Sequence, residues 1–153
     1  MPIRVSSSIE ISATPQLVWT AFTDIHRWSE WNPAIIGVTN ISGGSLWVPG
    51  GAFVTRYRGE FTPIMATTHS FVRQVVPGRR IVLTGEMLGS NGTITYDFNA
   101  VGPKTVVVAT EILAETDSDY RNYVISGATK RLLALLLRAL KQYVEGMGHK
   151  VQQ

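Results

Sequence analysis

The stretch from Asp119 to about Gly146 constrains the fold more than any other, because it reads as one long helix with a broad apolar side. At about 100° per residue, Ile125, Leu132, Leu136, Ala139, Leu140, Tyr143 and Met147 share an arc about 200° wide. Lys130, Arg131, Arg138, Lys141 and Glu145 take the opposite arc. A helix resting on a flat sheet needs a narrower stripe. A sheet that curls around the helix accounts for the excess. The buried side is also uneven: Asn122, Ser126 and Thr129 fall on it in the first half, and only apolar residues follow. A polar group sealed in a core without a partner costs about 1–3 kcal/mol. Three together imply local partners, water or a cavity.

The rest of the chain supplies such a sheet. IRVSSSIEI at 3–11 alternates as a strand. Thr14 then fits a helix N-cap and Pro15 the first helical position, with Val18 and Phe22 on one face and Trp19 beside them. That helix is expected to end near Asp24. A second, very short helix carries Arg27 to Trp31 before Pro33 disfavours helical geometry at Asn32. From 34 to 115, runs rich in Val, Ile, Thr, Phe and Tyr alternate with turn signals at 42–44, 49–51, 77–80, 89–92 and 101–104. The clearest strand is GTITYDFNA, where Ile94, Tyr96 and Phe98 alternate with Thr93, Thr95, Asp97 and Asn99. Six strands joined mostly by tight turns make an antiparallel meander.

Composition narrows the function. A chain of 153 residues fits a single domain spanning 1–153 and needs no disulfide or metal to hold a core. There is no cysteine, which rules out disulfides, thiol nucleophiles and cysteine-ligated metal sites. The N-terminus lacks the apolar core of a signal peptide, and the longest apolar run, LLALLL at 132–137, is too short to span a bilayer. We therefore expect a cytoplasmic protein without stable membrane insertion. The formal charge is only +3, and the bases of the last segment read as a solvated helix face, with Asp117 and Asp119 as caps at its positive end. No nucleic-acid partner is expected.

The residues able to do chemistry are few. His26, His69 and His149 have no metal-ligand spacing, and no nucleophile elbow or phosphate-cradling loop occurs. Neither a metal nor another cofactor is expected. Glu86 and Glu111 lie in strands whose phase the sequence leaves open, so each is either an outward, solvated carboxylate or an inward one with a raised pKa. Trp28 and Trp31, three apart, point the same way, either as core anchors or as the rim of a pocket. Alternation assigns Phe53, Tyr57, Leu83, Met87, Tyr96 and Phe98 to the interior, with His69 joining them if its phase matches that of Phe71. The last strand, TVVVATEIL, is apolar on both sides for several residues, which fits a homodimer contact.

Four pieces together carry a resemblance: ISATPQLVWTAFTDIHRWSEWNPAI, VVPGRRIVLTG, GTITYDFNAVGPKTVVVATE and the final helix. With them the chain resembles the START-like helix-grip (SRPBCC) superfamily, and within it the bacterial polyketide cyclase/dehydrase and lipid-transport-like group. It is also similar to plant pathogenesis-related class 10 and Bet v 1 proteins. The resemblance implies an α+β helix-grip fold: a seven-stranded antiparallel sheet curled around the C-terminal helix, with two short helices between the first two strands. It implies a cavity between sheet and helix, a nonpolar small molecule as occupant, no cofactor, and a Glu111 position that often faces the cavity. Relatives often carry tryptophan where this chain has Leu83, which leaves more room there.

Three functions are then open. The first is binding of a small, largely apolar molecule, such as a fatty acid, isoprenoid, aromatic polyketide or sterol fragment. Trp28, Trp31, Phe53, Tyr57, Leu83, Met87, Tyr96, Phe98, Asn122 and Thr129 would line its site, and Tyr57, Tyr96, Asn122 and Thr129 would supply the polar contacts. The second is a polyketide cyclase or dehydratase in which Tyr57, His69 or Glu111 moves protons. The third is a ligand-free interaction module with a filled interior.

Overall fold

The computed structural model describes residues 2–58, 67–87 and 90–152, with the side chains of Glu86, Met87, Ser90 and residues 148–152 outside the described set. Strand β1 (Ile3–Ile11) leads to helix α1 (Pro15–Thr23), a short 3-10 turn (Ile25–Arg27) and helix α2 (Trp28–Trp31). Strands β2 (Ile35–Asn40), β3 (Ala52–Tyr57), β4 (Thr67–Val76), β5 (Arg80–Met87), β6 (Ser90–Val101) and β7 (Lys104–Leu113) follow, and helix α3 (Asp119–Gln152) closes the chain. The seven strands form one sheet in the order β1-β7-β6-β5-β4-β3-β2, every neighbouring pair antiparallel. This is the helix-grip architecture.

Local chemistry sets the elements. Thr14 caps α1, its Oγ1 accepting from the Leu17 N–H at 3.3 Å, and Pro15 takes the first helical position. Gly78 (φ 75°) and Gly102 (φ 60°) make the turns on either side of the β5–β6 pair, a left-handed conformation that only glycine adopts freely. The one long connection runs from β1 through α1 and α2 to β2 at the opposite edge of the sheet, after which the meander returns strand by strand until β7 pairs with β1. Register shifts at Ile35/Gly37 in β2 and Val72/Gln74 in β4 bend those strands.

Helix α3 runs past the expected end near Gly146, to Gln152. Its most buried line is Ile125, Thr129, Leu133, Leu137, Leu140 and Val144, whereas Leu132, Leu136, Tyr143 and Met147 are half-buried. The broad arc was right in extent, but its centre is rotated toward Leu133 and Leu137, because the curled sheet covers both flanks and the periodicity alone cannot choose between two adjacent leucine lines. Lys141 and Glu145 are not simply solvated. Lys141 Nζ donates to the Glu10 carbonyl and to Glu145 Oε2, each at 2.7 Å, and the Ser12 N–H donates to the same Oε2 at 2.9 Å. Together they tie the far half of α3 to the β1–α1 junction. At the near end the N-cap is Ser118, whose Oγ accepts from the Arg121 N–H at 3.1 Å, and not Asp117 or Asp119. Among the described residues no helix is long and apolar enough to cross a membrane.

Candidate functional site

Strand β7 turns its odd residues toward α3: Thr105, Val107, Ala109, Glu111 and Leu113 are all buried. Four of the five suit a core. Glu111 does not, yet it is 3% exposed, opposite Ile94 on β6 and Val5 on β1. Its Oε2 has no hydrogen-bond partner among the described residues. Burial pushes its carboxyl up to about 7. Leu113 and Glu111 pack closely against Gly92 on the neighbouring strand, where a Cβ would lie 2.7 Å from Leu113 Cδ2 and 3.5 Å from Glu111 Oε1.

On α3, Thr129 is fully buried, and its Oγ1 also lacks a partner among the described residues. A helical threonine usually bonds back to its own preceding turn. The buried apolar residues form two clusters. Ala109 and Leu133 belong to the main one, and Leu113 and Ile125 to a smaller one packed with Ile3, Tyr57 and Ala128. Glu111 stands between Ala109 and Leu113 on β7, and Thr129 between Ile125 and Leu133 on α3. Each unpartnered polar group thus stands in sequence between a member of one cluster and a member of the other.

Two tyrosines complete the group. Burial pushes the Tyr57 phenol up to about 12, against a hydrogen bond with the Thr68 side chain, and the nearby Glu111 raises it further. Tyr96, 5% exposed, is raised well above its ordinary value by burial, then by Glu111 and Tyr57. Tyr57, Tyr96 and Glu111 thus sense one another's charge within a poorly hydrated interior.

The other expected site residues divide. Phe53, Leu83 and Phe98 are buried in the main cluster. Trp28 is an anchor: its indole N–H donates to the Phe22 carbonyl at 2.7 Å, one of the acceptors that α1 leaves open at its C-terminus. Its ring meets Phe53 edge-on, with centroids 5.6 Å apart. Trp31 stacks on Tyr143 with centroids 6.0 Å apart, and its N–H has no partner among the described residues. The Met87 and Glu86 side chains lie outside the described residues. Asn122 is engaged locally: its Oδ1 accepts from the Thr116 N–H and hydroxyl at 2.8 and 2.7 Å, fastening the loop before α3. His69 does share the phase of Phe71, but that phase is outward. Both are exposed because β4 turns Thr68 and Val72 inward, so His69 is removed from the interior group. Buried Thr68 and Ala109 were not anticipated, and the alternation around Val72 and Val107 was the available signal.

A second, open trough of about 720 Å³ lies on the outer face of the sheet between His69, Phe71, Thr84, Thr93 and Ile112. Among the described residues it holds no buried, unpartnered polar group, whereas the interior holds three. Among the described residues no group of three or more His, Cys, Asp or Glu could hold a metal ion.

The family model for polyketide cyclase / dehydrase and lipid transport matches residues 2–145. The chain belongs to this family. No curated protein matches it. Solved structures agree on the fold. The Zhui aromatase/cyclase from Streptomyces sp. R1128 is 15% identical, with 95% of this chain and 94% of that one covered at a TM-score of 0.77. A START superfamily protein from Mycobacterium smegmatis is 15% identical, covering 94% and 98% at 0.75. A structure described as the Aha1 dimer from Colwellia psychrerythraea is 17% identical, covering 94% and 96% at 0.67. Identities this low speak for a shared fold and leave the ligand to the residues of this chain.

Proposed function

We propose that this chain binds a small, largely apolar molecule between the sheet and α3, with Glu111, Thr129, Tyr57 and Tyr96 as its polar contacts and Trp31 at the rim. The observation that carries this reading is that two buried side-chain atoms, Glu111 Oε2 on β7 and Thr129 Oγ1 on α3, have no hydrogen-bond partner among the described residues. Each costs about 1–3 kcal/mol while unsatisfied. A ligand that hydrogen-bonds to both recovers that cost on binding. The ligand-free module does not account for them, since a filled interior gains nothing from a carboxyl in it. Burying about 300 Å² of apolar ligand gives about 7 kcal/mol gross. Association costs reduce this to micromolar affinity or weaker. The test is native mass spectrometry of the protein from its own host, followed by titration of the stripped protein with naphthalene-sized probes. A folded sample that retains nothing and binds no probe refutes the reading.

A second reading, an acid–base enzyme of the cyclase or dehydratase type, is favoured by one observation. A buried carboxyl with a pKa of about 7 beside two phenols is suited to give and take protons near neutrality. Glu111 would then be the proton carrier and Tyr57 or Tyr96 would orient a carbonyl. It requires that Glu111→Gln abolish turnover of a polyketide-like substrate while leaving its binding within a few-fold. Equal turnover by the variant ends this version.

A further inference from the structure

The polar lining of the interior is one-sided in charge. Every arginine is exposed, and so is every lysine whose side chain is described except Lys141, which is half-buried and held by Glu145 and the Glu10 carbonyl. His26 and His69 are exposed. Residues 59–66 and 88–89, GEFTPIMA and LG, contain no Lys, Arg or His. Of the basic side chains only those of His149 and Lys150 lie outside the described residues. Among the described residues Glu111 therefore has no cation to answer it. The groups that sense it are the phenols of Tyr57 on β3 and Tyr96 on β6. β1 sets Val5 opposite it and β6 sets Ile94. On α3, Ile125 and Thr129 are buried.

From this we infer that the interior site takes a ligand that presents a hydrogen-bond donor to Glu111, a hydroxyl, phenol or ammonium on an apolar body, and rejects ligands that present a carboxylate there. This rests on the binding reading above and narrows it: of the apolar molecules the fold can hold, fatty-acid anions are excluded. The physical reason is short. A ligand carboxylate would either bury a second negative charge beside the first in a medium of low dielectric, or force Glu111 to stay protonated. A donor meets the free Oε2 directly, and an ammonium adds charge to the hydrogen bond.

Three probes of one size test this: 2-naphthol, 2-naphthylmethylamine and 2-naphthoate, each titrated into the full chain by calorimetry at about pH 6 and about pH 8, either side of the Glu111 transition. At the higher pH the naphthoate is expected to bind at least about tenfold more weakly than the naphthol. The amine is expected to gain affinity from the lower pH to the higher, as Glu111 ionises. In Glu111→Gln the naphthoate penalty disappears and the amine loses its pH dependence. Thr129→Val weakens the naphthol but keeps the discrimination by charge, and circular dichroism confirms that both variants fold. Naphthoate binding as tightly as naphthol at about pH 8, or discrimination that survives in Glu111→Gln, overturns the inference while leaving the site intact. Failure of all three probes to bind folded protein removes the site itself, and the inference with it.

Discussion

The two ends of the sheet–helix interface are built on opposite principles. Around the second half of α3, rings close on one another: Phe22 lies 4.7 Å from Tyr96, 5.3 Å from Trp28 and 5.6 Å from Phe98, centroid to centroid. Polar atoms there are answered, as in Trp28 to the Phe22 carbonyl and Trp47 to the Thr23 carbonyl, both at 2.7 Å. Around the first half, Glu111 Oε2 and Thr129 Oγ1 are just as buried and have no partner among the described residues. Trp31 is the exception at the edge of the aromatic end. The difference teaches that one half of the interface answers its polar atoms, while the other leaves buried polar atoms without a partner among the described residues, as the proposed binding site requires.

Mutations should separate the halves, most strongly in the aromatic one. Phe22→Ala is expected to lose about 3–5 kcal/mol in denaturant unfolding, because Phe22 is fully buried and touches three rings. Thr129→Val, a near-isosteric change that removes an unanswered hydroxyl, is expected to be neutral or stabilising by up to about 2 kcal/mol. A loss of similar size from both would erase the distinction.

The pH dependence of stability sharpens it next. The folded pKa of Glu111, about 7, lies above its ordinary 4.5, so between those values the native state holds the extra proton. Its contribution is therefore most favourable below about pH 4.5, falls as pH rises through that window, and is flat above about pH 7. The full span is about 3 kcal/mol. Unfolding curves across this range, compared with Glu111→Gln, should show the slope in the parent and its loss in the variant. Parallel curves would mean that Glu111 is hydrated or paired.

The tryptophans offer a smaller contrast within one short helix. Trp28→Phe leaves the Phe22 carbonyl without its donor and is expected to cost about 1–3 kcal/mol. Trp31→Phe removes an N–H with no partner and should cost less than about 1 kcal/mol of stability while weakening ligand binding. Smallest of all is Lys141→Met, which loses a partly exposed ion pair and should lower stability by about 1 kcal/mol or less in thermal unfolding. The Lys141 hydrogen bond and the Ser12 N–H hold the Glu145 carboxyl below its ordinary range, so this small contribution fades as the solution becomes acidic enough to protonate Glu145.

Much of the fold was legible because its signals are local. Thr14 and Pro15 announce α1, Gly78 and Gly102 fix their turns, and the alternation of Ile94, Tyr96 and Phe98 sets the inner face of β6. The site was legible only in outline. His69 beside Phe71 looked inward because an apolar neighbour ordinarily marks the buried phase, yet Phe71 is an exposed ring with the Arg73 guanidinium 5.8 Å from its centroid. Asn122 was on the correct arc of α3, but its amide closes a loop through Thr116, a partner too irregularly placed for periodicity to reveal.

By itself the sequence determined the strand count, the sharp turns, the capped first helix and the broad apolar side of the last one, since each depends on residues a few positions apart. Only the tertiary structure decided which way Glu111 faces and what answers it. A strand's alternation offers two phases with equal backbone energy, and the choice between them is made by strands and a helix far away in the chain. That choice buried a carboxyl and left its Oε2, like the hydroxyl of buried Thr129, without a partner among the described residues.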